Sequence, residues 1–239
     1  MTLASTKIRF AGQSQVYLAI AFVLTIIAFW PSYFSKLGST DVAHSVHGVT
    51  ATLWMAVPVL QSWLIRRGYF TFHRRVGWVA LLVLAPALVI GGLRMVQLMV
   101  VRYDSIHAIR LLKFTFLDLS ALTLFVIFLG LAVLSIRRKD VDAHARYMTG
   151  TVLFALEPAL ERLFVFFVPG VPGFAEALYD ALISMEAILC VLLFLEWRRS
   201  RIRPPFLIAL GFFAGMHAFM APVAISASFG RFAHWFATI

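Results

Sequence analysis

Seven apolar runs dominate this chain, at roughly 14–34, 46–65, 76–101, 112–136, 147–168, 174–196 and 204–226. Each is close to or longer than the ~20 residues a helix needs to cross a bilayer. Unbroken runs of this length signal helices, because a spanning strand would be shorter and would alternate. Of the 239 residues, 62% are hydrophobic and only 13% charged, whereas a soluble domain is about half apolar and about a quarter charged. Little polar sequence is left for a separate soluble domain. The expectation is therefore an all-α integral membrane bundle of seven transmembrane helices. It forms a single transmembrane domain over residues 1–239, with the lipid bilayer as its main partner.

The net charge of +10 does not point to nucleic acid. The positive residues sit at the ends of apolar runs and form no basic face. Their distribution sets an orientation instead. Arg66, Arg67, Arg74 and Arg75 crowd one connection, Arg137, Arg138, Lys139 and Arg146 another, and Arg198, Arg199, Arg201 and Arg203 a third. The intervening connections hold far fewer, and the turn VPGVPG at 168–173 holds none. Alternate basic loops belong in the cytoplasm. That predicts the N-terminus inside, with Lys7 and Arg9, and the C-terminus outside. The first run has no A-x-A-like cleavage site after Trp30 and is expected to be a retained helix. The single cysteine, Cys190, lies within an apolar run and supports no disulfide framework.

Two of the basic loops share a frame. RRGYFTFHRR from Arg66 and RRKDVDAHAR from Arg137 both read Arg-Arg, five residues, His, one residue, Arg. The shared histidines are His73 and His144. Stepping back 26 residues from each gives His47 and Asp118, near the opposite ends of the second and fourth spans. The match predicts a parallel repeat of helix hairpins 46–101 and 112–168, an arrangement that often places a site between its halves.

Ionisable groups inside a bilayer each cost at least ~2.5–3.5 kcal/mol at mid-depth, so they attract functional attention. Here they are Arg94, Asp118, Glu157, Glu161, Arg162, Glu176, Asp180, Glu186 and His217. With the predicted orientation nearly all fall in the outer half, with His44 and His47 at its mouth. Glu157 and Glu161 are four residues apart and share a helix face, as do Glu176 and Asp180. Pro158, between the first pair, should bend its helix. Six carboxylates face two intramembrane arginines, so some must be protonated, bind a cation or meet water. These groups predict a water-accessible outer cavity. His44, His47, Asp118, Glu157 and Glu161 are candidate ligands for zinc or iron, or for relaying protons or binding a solute.

The histidines allow a second chemistry. His73 and His144 open two helices on the cytoplasmic side, and His44 or His47 pairs with His107 on the other. A membrane cytochrome b holds each haem between histidines of different helices. The layout resembles the ascorbate-reducible di-haem cytochromes b, whose ligands fall on four consecutive helices in the same two pairs. That resemblance implies haem b held by His73, His144, His47 and His107, with Arg74, Arg75 and Arg146 facing the propionates. It also implies a redox partner or quinone. The chain departs from that family in having seven spans rather than six and in lacking the motifs around its histidines. The last span has no lysine for a retinal Schiff base and only one histidine, His217, which argues against rhodopsins and the seven-helix zinc hydrolases. No G-x-x-x-x-G-K loop is present.

The run HGVTATLWMAVPVLQSWLIRRGYFTFHRRVGW and the later DAHARYM resemble a family of bacterial multi-pass membrane proteins defined as a domain of unknown function. The shared pattern falls on His47, Gly48, Gln61, His73, Arg74, Gly77, His144, Arg146, Tyr147 and Met148. It covers roughly residues 44–160 and implies a bacterial inner-membrane location. Three functions follow as expectations. The first is a b-type haem protein with a membrane oxidoreductase role. The second is an outward-open His/carboxylate site for transport, proton transfer or metal-assisted chemistry. The third is a structural or assembly subunit.

Overall fold

The computed structural model describes residues 3–101, 108–199 and 202–239, with side chains from Gln15 onward. Among these residues every regular element is helical. The long helices are α1 (Leu3–Phe29), α2 (Val42–Arg66), α3 (Phe70–Val101), α4 (Ala108–Arg137), α5 (Val141–Phe167), α6 (Phe174–Trp197) and α7 (Pro204–Ala224). A short α8 (Ala227–Thr238) follows. The helix α3 widens into a π-helical stretch at Ala80–Leu84, which absorbs an extra residue without breaking the rod.

Five helices are long and apolar enough to cross a membrane: α2, α3, α4, α6 and α7. The described apolar part of α1, Gln15–Phe29, is shorter. The fifth expected span, α5, is long but carries Glu157, Glu161 and Arg162 in its second half. Its surroundings explain how those groups are accommodated: α5 touches α1, α2, α4, α6 and α7. It is the central rod of the bundle, facing protein rather than lipid on most sides. Phe128 (0% exposed) and Phe154 (5%) meet edge to face beside it, with ring centres 4.9 Å apart. Trp54 of α2 donates its indole N–H to Thr151 of α5 at 3.3 Å.

The two Arg-Arg turns are tighter than their sequences suggest, and they are built alike. Gly68 and Lys139 both take a left-handed backbone, with φ of 75° and 62°. In each turn the next N–H reaches back five residues to close the helix: Tyr69 to Leu64 and Asp140 to Ser135, both at 2.9 Å. This is the αL helix stop, which glycine favours because it has no Cβ. The following helix then starts at once, so His73 and His144 lie on first turns rather than in loops. The expected spans 76–101 and 147–168 consequently begin earlier, at Phe70 and Val141.

At this basic end α5 is locked to α6. Arg146 (4% exposed) and Glu196 (5%) form a buried ion pair. The second Glu196 oxygen accepts the backbone N–H of Arg203 at 3.1 Å, fixing the start of α7. Asp140 caps α5 by accepting the Ala143 N–H at 3.0 Å. At the opposite end α8 lies against α3 and α4. Ser226 caps it through the Phe229 N–H at 3.3 Å, and Gln97 of α3 donates to the Phe236 carbonyl at 3.1 Å.

The left-handed turn at Lys139 gives a direct test of this construction. Lys139→Gly removes a Cβ from the strained conformation and should stabilise the protein by about 1 kcal/mol. Gly68→Lys should destabilise it by a similar amount. Thermal unfolding of the detergent-solubilised variants reads both; equal midpoints for the two would contradict the shared turn.

Candidate functional site

A cavity of about 700 Å³ opens between α1, α2, α3, α4 and α5 at the end away from the Arg-Arg turns. Its lining includes exposed Arg110 and half-buried Phe34 and His44, together with buried Glu157 and Phe154. Each wall has a local reason for its place. Asp41 caps α2, accepting the His44 N–H at 3.0 Å and the His44 ring Nδ1 at 2.6 Å. The His44 amide holds the exposed Asp41 carboxyl below its ordinary range. This anchors the first turn of α2 at the cavity mouth.

The next turn explains the His-Gly pair. A Cβ on Gly48 would come within 2.2 Å of the Tyr33 ring. Glycine is therefore what lets Tyr33 lie flat on α2, where its hydroxyl donates to the Ser45 carbonyl at 3.1 Å. His47 faces the other way, against α3. A Cβ on Gly91 would lie 3.3 Å from its Nδ1, so the imidazole is wedged between two helices at the cavity wall.

The floor and far wall come from α4 and α5. Glu157 and Glu161 are each 5% exposed, one turn apart on the same face of α5. Asp118 joins them from α4. Arg162 lies among the three, close enough for its charge to act on each. Its guanidinium sits 3.7 Å from Glu161 Oε2 and donates to the Pro158 carbonyl at 2.9 Å. It also stacks over Phe29, 4.3 Å from the ring centre, with Phe174 at 5.8 Å. Pro158 cannot donate to the Phe154 carbonyl one turn back, so the helix is loosened beside the acids. Among the described residues, Glu157 Oε1, Glu161 Oε1, His47 Nδ1 and Ser32 Oγ are buried without a hydrogen-bond partner. A buried polar atom left unpaired costs about 1–3 kcal/mol, so these groups call for a partner from the cavity they line.

The structure thus brings His44, His47, Asp118, Glu157 and Glu161 to one cavity. No three His, Cys, Asp or Glu side chains among the described residues converge closely enough to hold a metal ion. The other intramembrane groups lie elsewhere. Arg94 is exposed and donates to Gln97 at 3.2 Å. Glu176 is exposed and Asp180 half-buried on α6. Glu186 pairs with His217 of α7 at 3.1 Å. Tyr179 contacts the His217 ring, with centres 5.8 Å apart, and accepts from Lys113 of α4 at 2.9 Å.

At the basic end, His73 and His144 are near enough to act on each other electrostatically. His144 Nδ1 lies 3.0 Å from the Ala132 carbonyl, which fixes the tautomer and leaves Nε2 free to face elsewhere. The His73 carbonyl accepts from Gln61 at 3.2 Å, and its buried Nδ1 has no partner among the described residues. Arg74 and Arg75 are exposed, and Arg146 is committed to Glu196. His107 lies outside the described residues.

Sequence reasoning did not find Tyr33, Ser32, or the aromatic and methionine walls. Nothing in a continuous apolar run tells which residues face a cavity. The Gly48 beside His47 was a usable sign of close approach at that turn. Compared with known protein families, curated proteins and solved structures, the chain matches none.

Proposed function

We propose that this protein binds cations in the α1–α5 cavity, exchanging a proton or a cationic solute there with the aqueous phase. The proposal includes seven spans, with the Arg-Arg turns and N-terminus in the cytoplasm and the cavity mouth and C-terminus outside. One observation carries the reading: two nearly fully enclosed carboxyl groups, Glu157 and Glu161, each keep an oxygen without a partner at the wall of a 700 Å³ cavity. A carboxylate that served only to lock helices would spend its oxygens on an arginine or on N–H groups, as Glu196 does at the other end. With Asp118 counted, three acids face Arg162 inside and Arg110 at the rim, so the ionised site would be one positive charge short.

The carbodiimide reagent dicyclohexylcarbodiimide attacks protonated carboxyl groups in apolar surroundings. Applied to purified protein at neutral pH, it should modify Glu157 or Glu161, as mapped by peptide mass spectrometry. Exposed Glu176 should stay unmodified. Modification of neither buried glutamate would count against the reading.

A second reading rests on the basic end, where His73 and His144 lie within electrostatic range of one another and the buried His73 Nδ1 has no partner among the described residues. Haem would need both imidazoles as its axial pair, and Arg146, taken by Glu196, is not available to a propionate. Bound haem would supply one-electron chemistry. A Soret band in purified protein, lost in His73→Ala and in His144→Ala, supports this reading. A colourless preparation contradicts it.

A further inference from the structure

The geometry points to a hydrophobic organic cation as the occupant of the α1–α5 cavity, a ligand with one fixed positive charge and an aromatic or aliphatic body. This rests on the cation-binding reading above and narrows it to a substrate class.

Three observations support the narrowing. The first is size. About 700 Å³ is far more than a proton or metal ion needs and falls within the roughly 300–1,000 Å³ of pockets that hold drug-sized ligands. The second is the lining. Phe114, Phe125, Phe154, Met55 and Met95 face this space, and they offer ring faces and adaptable thioethers rather than hydrogen bonds. A small hydrated solute such as a sugar would leave that wall unmatched.

The third is Arg162, which shows the chemistry the site favours. Its flat guanidinium lies over Phe29 at 4.3 Å with Glu161 at 3.7 Å. An aromatic face and a carboxylate thus already hold one delocalised cation here. Glu157 and Asp118 remain, and they are close enough to act on each other. A second cation placed between them would have Phe125 and Phe154 for its body and Glu157 Oε1, unpartnered and 95% enclosed, for its charge. An anionic ligand is disfavoured. It would have to approach Asp118, Glu157 and Glu161, with only the Nε of Arg162 left unpartnered, since the guanidinium already meets Glu161, the Pro158 carbonyl and Phe29.

Tetraphenylphosphonium and tetraphenylborate have nearly the same size and surface and opposite charge. Equilibrium binding of each to the full-length protein in neutral detergent separates charge recognition from general greasiness. Tetraphenylphosphonium should bind saturably at one site per chain, and tetraphenylborate should not. Glu157→Gln and Asp118→Asn should each weaken binding about tenfold or more, whereas Glu176→Gln, on the exposed start of α6, should leave it unchanged. Bound tetraphenylphosphonium should also protect Glu157 from carbodiimide. Because a variant can fail for lack of folding, the two ions compared on the unaltered protein are the primary readout.

Protein whose Glu157 or Glu161 reacts with carbodiimide, yet binds no tetraphenylphosphonium saturably, overturns the organic-cation inference and leaves cation exchange standing. Equal binding of both ions, or binding unchanged in Glu157→Gln and Asp118→Asn alike, also overturns it. Loss of carbodiimide reactivity at both glutamates removes the underlying reading as well.

Discussion

The whole arrangement depends on where α5 puts its charges. A helix with Glu157, Glu161 and Arg162 within its apolar length cannot face lipid at acceptable cost. It is stable here because five other helices surround it and because Arg162 stays among the acids. The same enclosure that shelters these groups also withholds partners from some of them. Glu157 and Glu161 keep unpaired oxygens, and the space beside them is not filled by side chains. Burial and incompleteness at one place are what the cation-binding proposal rests on.

The basic end offers the contrast. There a buried charge is fully used: Arg146 meets Glu196, Glu196 takes the Arg203 amide, and Arg146 donates to the Asp142 carbonyl at 3.1 Å. A buried pair of this kind is a poor source of net stability but is costly to break, by roughly 3–5 kcal/mol when one partner is removed. It sets the register of α5, α6 and α7. One end of the bundle is therefore clamped by satisfied ions. The other holds a cavity with unsatisfied ones, bounded by the Tyr33–Gly48 contact and the His47–Gly91 wedge.

Much of this architecture is legible in the sequence. Continuous apolar runs fix helices because the bilayer leaves the backbone no other way to satisfy itself, and α2, α3, α4, α6 and α7 follow directly. The i,i+4 spacing of Glu157 and Glu161 places them on one face, and both line one cavity with His44, His47 and Asp118. Other features were hidden. Helix rotation is set by side-chain packing, so the sequence could not separate Asp118, which faces the cavity, from Arg94, which is exposed and bonded to Gln97. The commitment of Arg146 to Glu196 joins positions 50 residues apart and has no local signature. The closing helix α8 is too short and too mixed in polarity to stand out as a span, although Ser226 before Ala227 is a normal cap. The two Arg-Arg-x5-His-x-Arg frames do correspond to alike turns, at Gly68 and Lys139, because both must stop one helix and start the next within a few residues.

The central claim is that water and cations reach the acidic cavity from the side opposite the Arg-Arg turns. Cysteine accessibility in intact cells tests it most directly. With Cys190 replaced by serine, single cysteines at Ala51 and Ala121, both lining the cavity, should react with membrane-impermeant thiosulfonates added outside. The cationic reagent should react faster than the anionic one. A cysteine at Ala159, which is 0% exposed, should not react. If neither cavity position reacts, or if both react only after the membrane is permeabilised, the account is wrong.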